Sequence, residues 1–208
     1  DTEARGAASL SQNGFGKLRE PIVRFVQWGR TFGITSARGS WKLGDLSNAG
    51  TQLGQSPLRS PSVFNFFRPG YVPPSTAMSA SKTPAPEFQI VNESSVGGYL
   101  NFMQGVIRDG VRVNAPDQPN SGSNASNGFD ITAAYTSELA LVTDTAALVA
   151  RLNLLLTAGQ LSNATQTLIV NALNATVVTS TSTDTVKRDR VAAAVLLVMA
   201  SSDYLIQK

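Results

Sequence analysis

Apolar residues recur every three or four positions in several stretches of this chain, and long aperiodic stretches separate them. Such spacing marks a helix with one buried face. The first periodic stretch follows Glu20: Pro21 suits a first helical position, and Ile22, Phe25, Val26 and Gly29 form a stripe running to about Phe32, with Gly33 as the stop. Arg24 and Arg30 fall off that stripe and are expected at the solvated surface. A second helix starts at Asn92, a good N-cap, with Glu93 in its first turn, Val96, Leu100, Met103 and Ile107 on one face, and Gly110 as the stop.

The last third reads as consecutive helices. One is expected over Ile131 to Leu141, following Asp130. Another is capped by Thr143 or Asp144, carries Leu148, Leu152, Leu155 and Leu156, and ends at Gly159. Ser162 caps a third, with Thr165, Leu168, Ile169, Ala172 and Leu173 as its stripe. The final helix runs from Asp184 to about Ser201 and is apolar nearly all round after Arg190, the pattern of a helix at the centre of a bundle.

Two stretches lack a period. Residues 34–90 hold many of the Pro and aromatic residues, and a loop of that length in a compact domain is functional or wraps a core. Phe64, Phe66, Phe67 and Tyr71 argue for wrapping, since each aromatic side chain buries about 150–250 Å² when packed. Residues 114–130 are polar and read as a surface loop. Asp117, Asn120, Asn124 and Asp130 offer oxygens there, but without the spacing or closing Glu of a calcium-binding EF-hand. The expected architecture is therefore all-α: a linker or arm at 1–15, then one domain at 16–208, an irregular bundle of five or six helices with the 34–90 excursion packed across it.

Composition narrows the chemistry. Cys and His are both absent from the 208 residues, so thiol nucleophiles, Ser-His-Asp triads and Cys/His zinc sites lack their parts within this chain. No cofactor is implied, and no complete catalytic set is present. Seventeen Lys and Arg against fourteen Asp and Glu leave a net charge of +3, scattered rather than striped, which gives no nucleic-acid footprint. The longest apolar run, Val191 to Ala200, falls well short of the roughly 20 residues a transmembrane helix needs. Only 15% of residues are charged, and Ala, Ser, Thr and Asn are abundant, a composition that points to an exported or surface protein, periplasmic or extracellular.

Three stretches carry a family resemblance: Phe15 to Arg24 (FGKLREPIVR); Ser56 to Tyr71 (SPLRSPSVFNFFRPGY), continued by Pro73, Pro74 and Ala85 to Glu93 (APEFQIVNE); and Arg188 to Lys208 (RDRVAAAVLLVMASSDYLIQK). Together they resemble the C-terminal part of the DUF1800 family, large bacterial proteins with no assigned function. The resemblance implies a longer exported protein whose Trp-His-x-His-Phe type motif lies in an N-terminal half. With no histidine here, no role resting on that motif transfers to these residues.

The densest candidate interaction surface is Arg59, Phe64, Asn65, Phe66, Phe67, Arg68 and Tyr71, joined by Glu87, Phe88, Asn92 and Glu93. Arg59 or Arg68 suits an anion or a carboxylate held bidentately, or else pairs with Glu87 while the aromatics anchor the loop. Glu20, Glu87 and Glu93 are the carboxylates to weigh for acid/base work, and Lys187, Arg188 and Arg190 form the tight basic group. The expected function is a non-catalytic binding or assembly module that docks on the N-terminal half of the same protein or on an extracellular partner. The alternatives are a pocket wall of an exported hydrolase-like enzyme and a surface-layer or filament subunit.

Overall fold

The computed structural model describes residues 6–12, 15–112 and 128–208. The protein is mostly helical, about 50%, with 8% in strands. In chain order the described elements are α1 (Ala7–Ser11), β1 (Lys17–Leu18), α2 (Pro21–Thr31), β2 (Thr35–Ser36), α3 (Ala77–Ser81), a 3-10 turn (Pro86–Ile90), α4 (Glu93–Asp109), β3 (Val111–Arg112), β4 (Phe129–Thr132), α5 (Thr136–Leu139), α6 (Thr145–Thr157), α7 (Asn163–Asn174), α8 (Asp184–Ala200), α9 (Ser202–Leu205) and β5 (Ile206–Gln207).

Helix α8 is the axis of the bundle. Val191, Ala194, Val195, Val198 and Met199 are buried at helical spacing, and α4, α6 and α7 pack around them. Leu148, Leu152 and Leu156 face α8 from α6, while Met103 and Ile107 come from α4. Burying each such side chain contributes about 1.5–3 kcal/mol. Three helix starts lie where their caps predict, Asn92, Asp144 and Ser162 each accepting a backbone N–H from the first turn, and Thr183 does the same for α8.

Small sheets fasten the helices. β1 pairs antiparallel with β5, and β4 sits between β2 and β3. The helix expected over Ile131 to Leu141 is therefore corrected to a strand, a left-handed turn at Tyr135 (φ 53°) and the single turn of α5. The cause is tertiary: Ile131 is buried opposite both Ser36 and Val111. Asp130 accepts hydrogen bonds from the Ser36 hydroxyl, the Ser40 hydroxyl and the Arg38 N–H, each at 2.7 Å, which strand geometry permits and a continuous helix would not. Burial alone would raise the Asp130 pKa, but these three donors outweigh it and hold the carboxyl below its ordinary value.

Two helix faces are rotated from their expected stripes. On α2, Arg24 is buried at 6% exposure while Val26 faces solvent, so the expectation of a solvated Arg24 is corrected. On α4, Tyr99 rather than Val96 turns inward. Trp28 on α2 donates from Nε1 to the Tyr135 hydroxyl at 2.7 Å, and that hydroxyl donates to the Ile107 carbonyl at 2.9 Å, linking three elements through a buried relay. Burial pushes the Tyr135 phenol well above its ordinary pKa.

Of the expected linker at 1–15, residues 7–11 form the short helix α1, whereas 1–5 and 13–14 lie outside the described residues. So do Asp117, Asn120 and Asn124 of the polar tract. No helix among the described residues is long and apolar enough to cross a membrane.

Candidate functional site

The 34–90 excursion divides into a packed half and a projecting half. Residues 37–56 lie on the bundle: Leu46 and Leu53 are buried, and Gly98 on α4 lets the Ala49–Gly50 backbone come so close that a Cβ there would clash with it. Gln55 locks this half down. Its side-chain carbonyl accepts from the Ile22 N–H at 3.3 Å and its amide donates to Glu20 at 2.8 Å, at the start of α2.

After Ser56 the chain leaves the surface. Leu58, Val63 and Phe64 are 105%, 95% and 59% exposed. Their backbone is nevertheless held. Asn65 N–H donates to the Ser62 carbonyl at 3.1 Å and Phe64 N–H donates to the Ser62 hydroxyl at 3.1 Å, closing a tight turn with Val63 and Phe64 at its two central positions. Turns ordinarily place Gly, Asn, Asp, Pro or Ser there. Leu58 and Asn65 adopt left-handed backbone angles (φ 61° and 69°), a conformation that costs a bulky residue such as Leu about 1–2 kcal/mol. Strain of this kind persists where surrounding contacts determine it, and it concentrates at ligand clamps and switches.

The eleven residues expected to form one surface run from the tip of this arm down to the start of α4. Phe64 and Asn65 are at the tip. Phe66, Phe67 and Tyr71 are half-buried along the stem, and Pro73 beyond them is buried. The return leg is tied by the Arg68 N–H donating to the Gln89 side chain at 2.7 Å and the Ala85 N–H donating to the Tyr71 carbonyl at 2.8 Å. Phe88 is half-buried at the base. There Glu87 is buried and pairs with Lys17 at 3.0 Å, while Arg59 pairs with Asp45 at 3.1 Å. The expected pairing of Arg59 or Arg68 with Glu87 is thus replaced by two separate pairs. Asn92 and Glu93 belong to the start of α4, where Asn92 and Ser95 cap each other reciprocally.

Each remaining candidate has a structural role. Glu20 holds Gln55, Glu87 holds Lys17, and Glu93 lies in a helix's first turn, so the three carboxylates are engaged separately. Lys187 donates to the Ser180 carbonyl, Arg188 to the Ala133 carbonyl, and Arg190 to the carbonyls of Val142, Leu173 and Thr176. Asp189 pairs with Arg108 instead of its basic neighbours. Among the described residues no group of three carboxylates could hold a metal ion.

The described residues form a helical bundle that carries a hydrogen-bonded arm with an exposed apolar tip. The chain itself belongs to the DUF1800 family, described as "Protein of unknown function (DUF1800)", whose family model matches residues 2–206. Comparison with curated proteins and with solved structures returns no match.

Proposed function

We propose that this chain is a non-catalytic docking module of an exported protein, and that the 57–76 arm inserts its tip into a partner protein. One observation carries the reading: Leu58, Val63 and Phe64 face solvent from a backbone that hydrogen bonds hold in place. Exposed aromatic side chains on a preformed turn bind at low entropic cost, since little remains to be ordered on association. Residues 57–86 include Arg59, Arg68 and Lys82 but no Asp or Glu. The partner surface this arm fits is therefore an apolar hollow with a carboxylate-bearing rim.

The partner we favour is the histidine-bearing half that the family resemblance implies; a separate extracellular protein is the second choice. The test is co-purification of the full-length exported protein after limited proteolysis between the two halves, with and without Phe64→Ala. A central aromatic anchor contributes about 2 kcal/mol or more to an interface, roughly a 30-fold loss of affinity on truncation. The halves should stay together in the unmodified protein and separate in the variant. Halves that separate in both, or stay together in both, would remove the reading.

A further inference from the structure

Among the described residues, three buried side-chain polar atoms have no hydrogen-bond partner: Arg19 Nε, Tyr99 Oη and Tyr204 Oη. Buried polar groups in folded proteins are otherwise nearly always satisfied, so three in one place need a cause. They are in one place. The Arg24 guanidinium lies 4.3 Å from the centre of the Tyr99 ring, the Arg19 guanidinium lies 4.9 Å from that of Tyr204, and Arg24 Nε donates to the Arg19 carbonyl at 2.8 Å. Burial raises the Tyr204 phenol's pKa, Tyr99 adds to the rise, and Arg19 and Arg24 oppose it, as expected of four side chains packed as one group.

The group carries two positive charges and no carboxylate, and its guanidinium and hydroxyl groups can all donate. Arg19 pairs with Gln27, a neutral amide, at 2.6 Å; neither arginine has a carboxylate partner among the described residues. A buried cation without a counter-charge is expensive. Beside it, Arg24, Tyr99 and Ser95 line a cavity of about 120 Å³ whose other walls are apolar, from Leu18, Pro21, Leu100 and the exposed Val96 among others. That volume is close to that of a cavity that holds one benzene, about 150 Å³.

We infer that this cavity binds a small monocarboxylate with a short aliphatic tail: the carboxylate takes Arg24 and the Tyr99 hydroxyl, and the tail lies against Val96 and Leu100. Of the three unpaired atoms only Tyr99 Oη belongs to a residue lining the cavity; the head meets it together with the Arg24 guanidinium, which has no carboxylate partner among the described residues, and a guanidinium meets a carboxylate with two parallel hydrogen bonds. The tail fills space that is apolar and limited to about four to six carbons by the cavity's size. The site lies at the junction of α2, α4 and the chain after α8, and it is independent of the arm.

The test is calorimetric titration of the whole protein with hexanoate, 1-hexanol and acetate. Hexanoate should bind at one saturable site with Kd below about 1 mM, and both hexanol, which lacks the charge, and acetate, which lacks the tail, should bind at least about tenfold more weakly. Arg24→Ala is a poor sole variant because a buried residue's loss can unfold the chain. Tyr99→Phe removes the hydroxyl and keeps the ring packed on Arg24, and Val96→Phe adds bulk at an exposed lining position; each should keep the melting temperature and weaken hexanoate about fivefold or more. Absence of saturable hexanoate binding would overturn the inference, in which case bound water satisfies the donors. Equal binding of hexanol, equal binding of acetate, or indifference to both variants would overturn it as well.

Discussion

The bundle and the arm draw on the same apolar residue types and place them oppositely. Around α8, Leu152, Val191, Val195 and Val198 are withdrawn from water completely, whereas on the arm Leu58 and Val63 are as exposed as in an extended chain. Both regions have a defined backbone. The bundle gets its definition from burial, and the arm from hydrogen bonds at Ser62 and Gln89 and from its two anchored ends. The difference separates residues that maintain the fold from residues that the fold presents.

Substitutions that shrink the same kind of side chain should therefore part company by region. Leu152→Ala opens a hole beside α8 and should cost about 2–5 kcal/mol in urea unfolding. Gly98→Ala is next, at about 1–3 kcal/mol, because the added methyl meets the Ala49–Gly50 backbone and must push the packed half of the excursion off α4. The expected signature is a lower unfolding midpoint together with faster amide exchange over 45–55.

Asp130→Asn sharpens the boundary between the two halves through pH. The Asp130 pKa is depressed in the folded protein, so near pH 3–4 the unfolded chain binds more protons than the folded one. Its contribution is then present above the ordinary Asp pKa of about 3.9 and lost as pH falls through the folded value. The variant should melt below the unmodified protein at pH 7, and the gap should close on acidification below about pH 4. A gap that widens in acid would contradict the assignment. The smallest effect belongs to the arm: Phe64→Ala should change stability by less than about 0.5 kcal/mol, since exposed positions outside special features contribute little.

Much of the bundle was legible because its signals are local. Caps at Asn92, Asp144 and Ser162, the stop at Gly110 and the wholly apolar face of α8 all report on residues within a turn or two. The sheets were not legible. β2 and β3 are two residues long, too short to show a period, and Ile131 is a strand residue only because Ser36 and Val111 lie across from it. Arg24 was misplaced for a related reason: charge alone assigns a guanidinium to solvent, and only the Tyr99 ring and the Arg19 carbonyl give it a place inside. At the arm, the aromatic run announced that something buries it, and hydropathy carries no word on whether the cover comes from this bundle or from elsewhere.

The most direct test of the docking reading is site-specific photo-crosslinking from position 64 in the full-length protein in its native host. With benzoylphenylalanine in place of Phe64, the account predicts a high-yield crosslink to a peptide outside residues 1–208, either in the same longer chain or in a separate protein, and little reaction with the bundle. Crosslinks that map instead onto α2, α4 or α8 of the same domain would show the arm folded back on its own scaffold and would contradict the account.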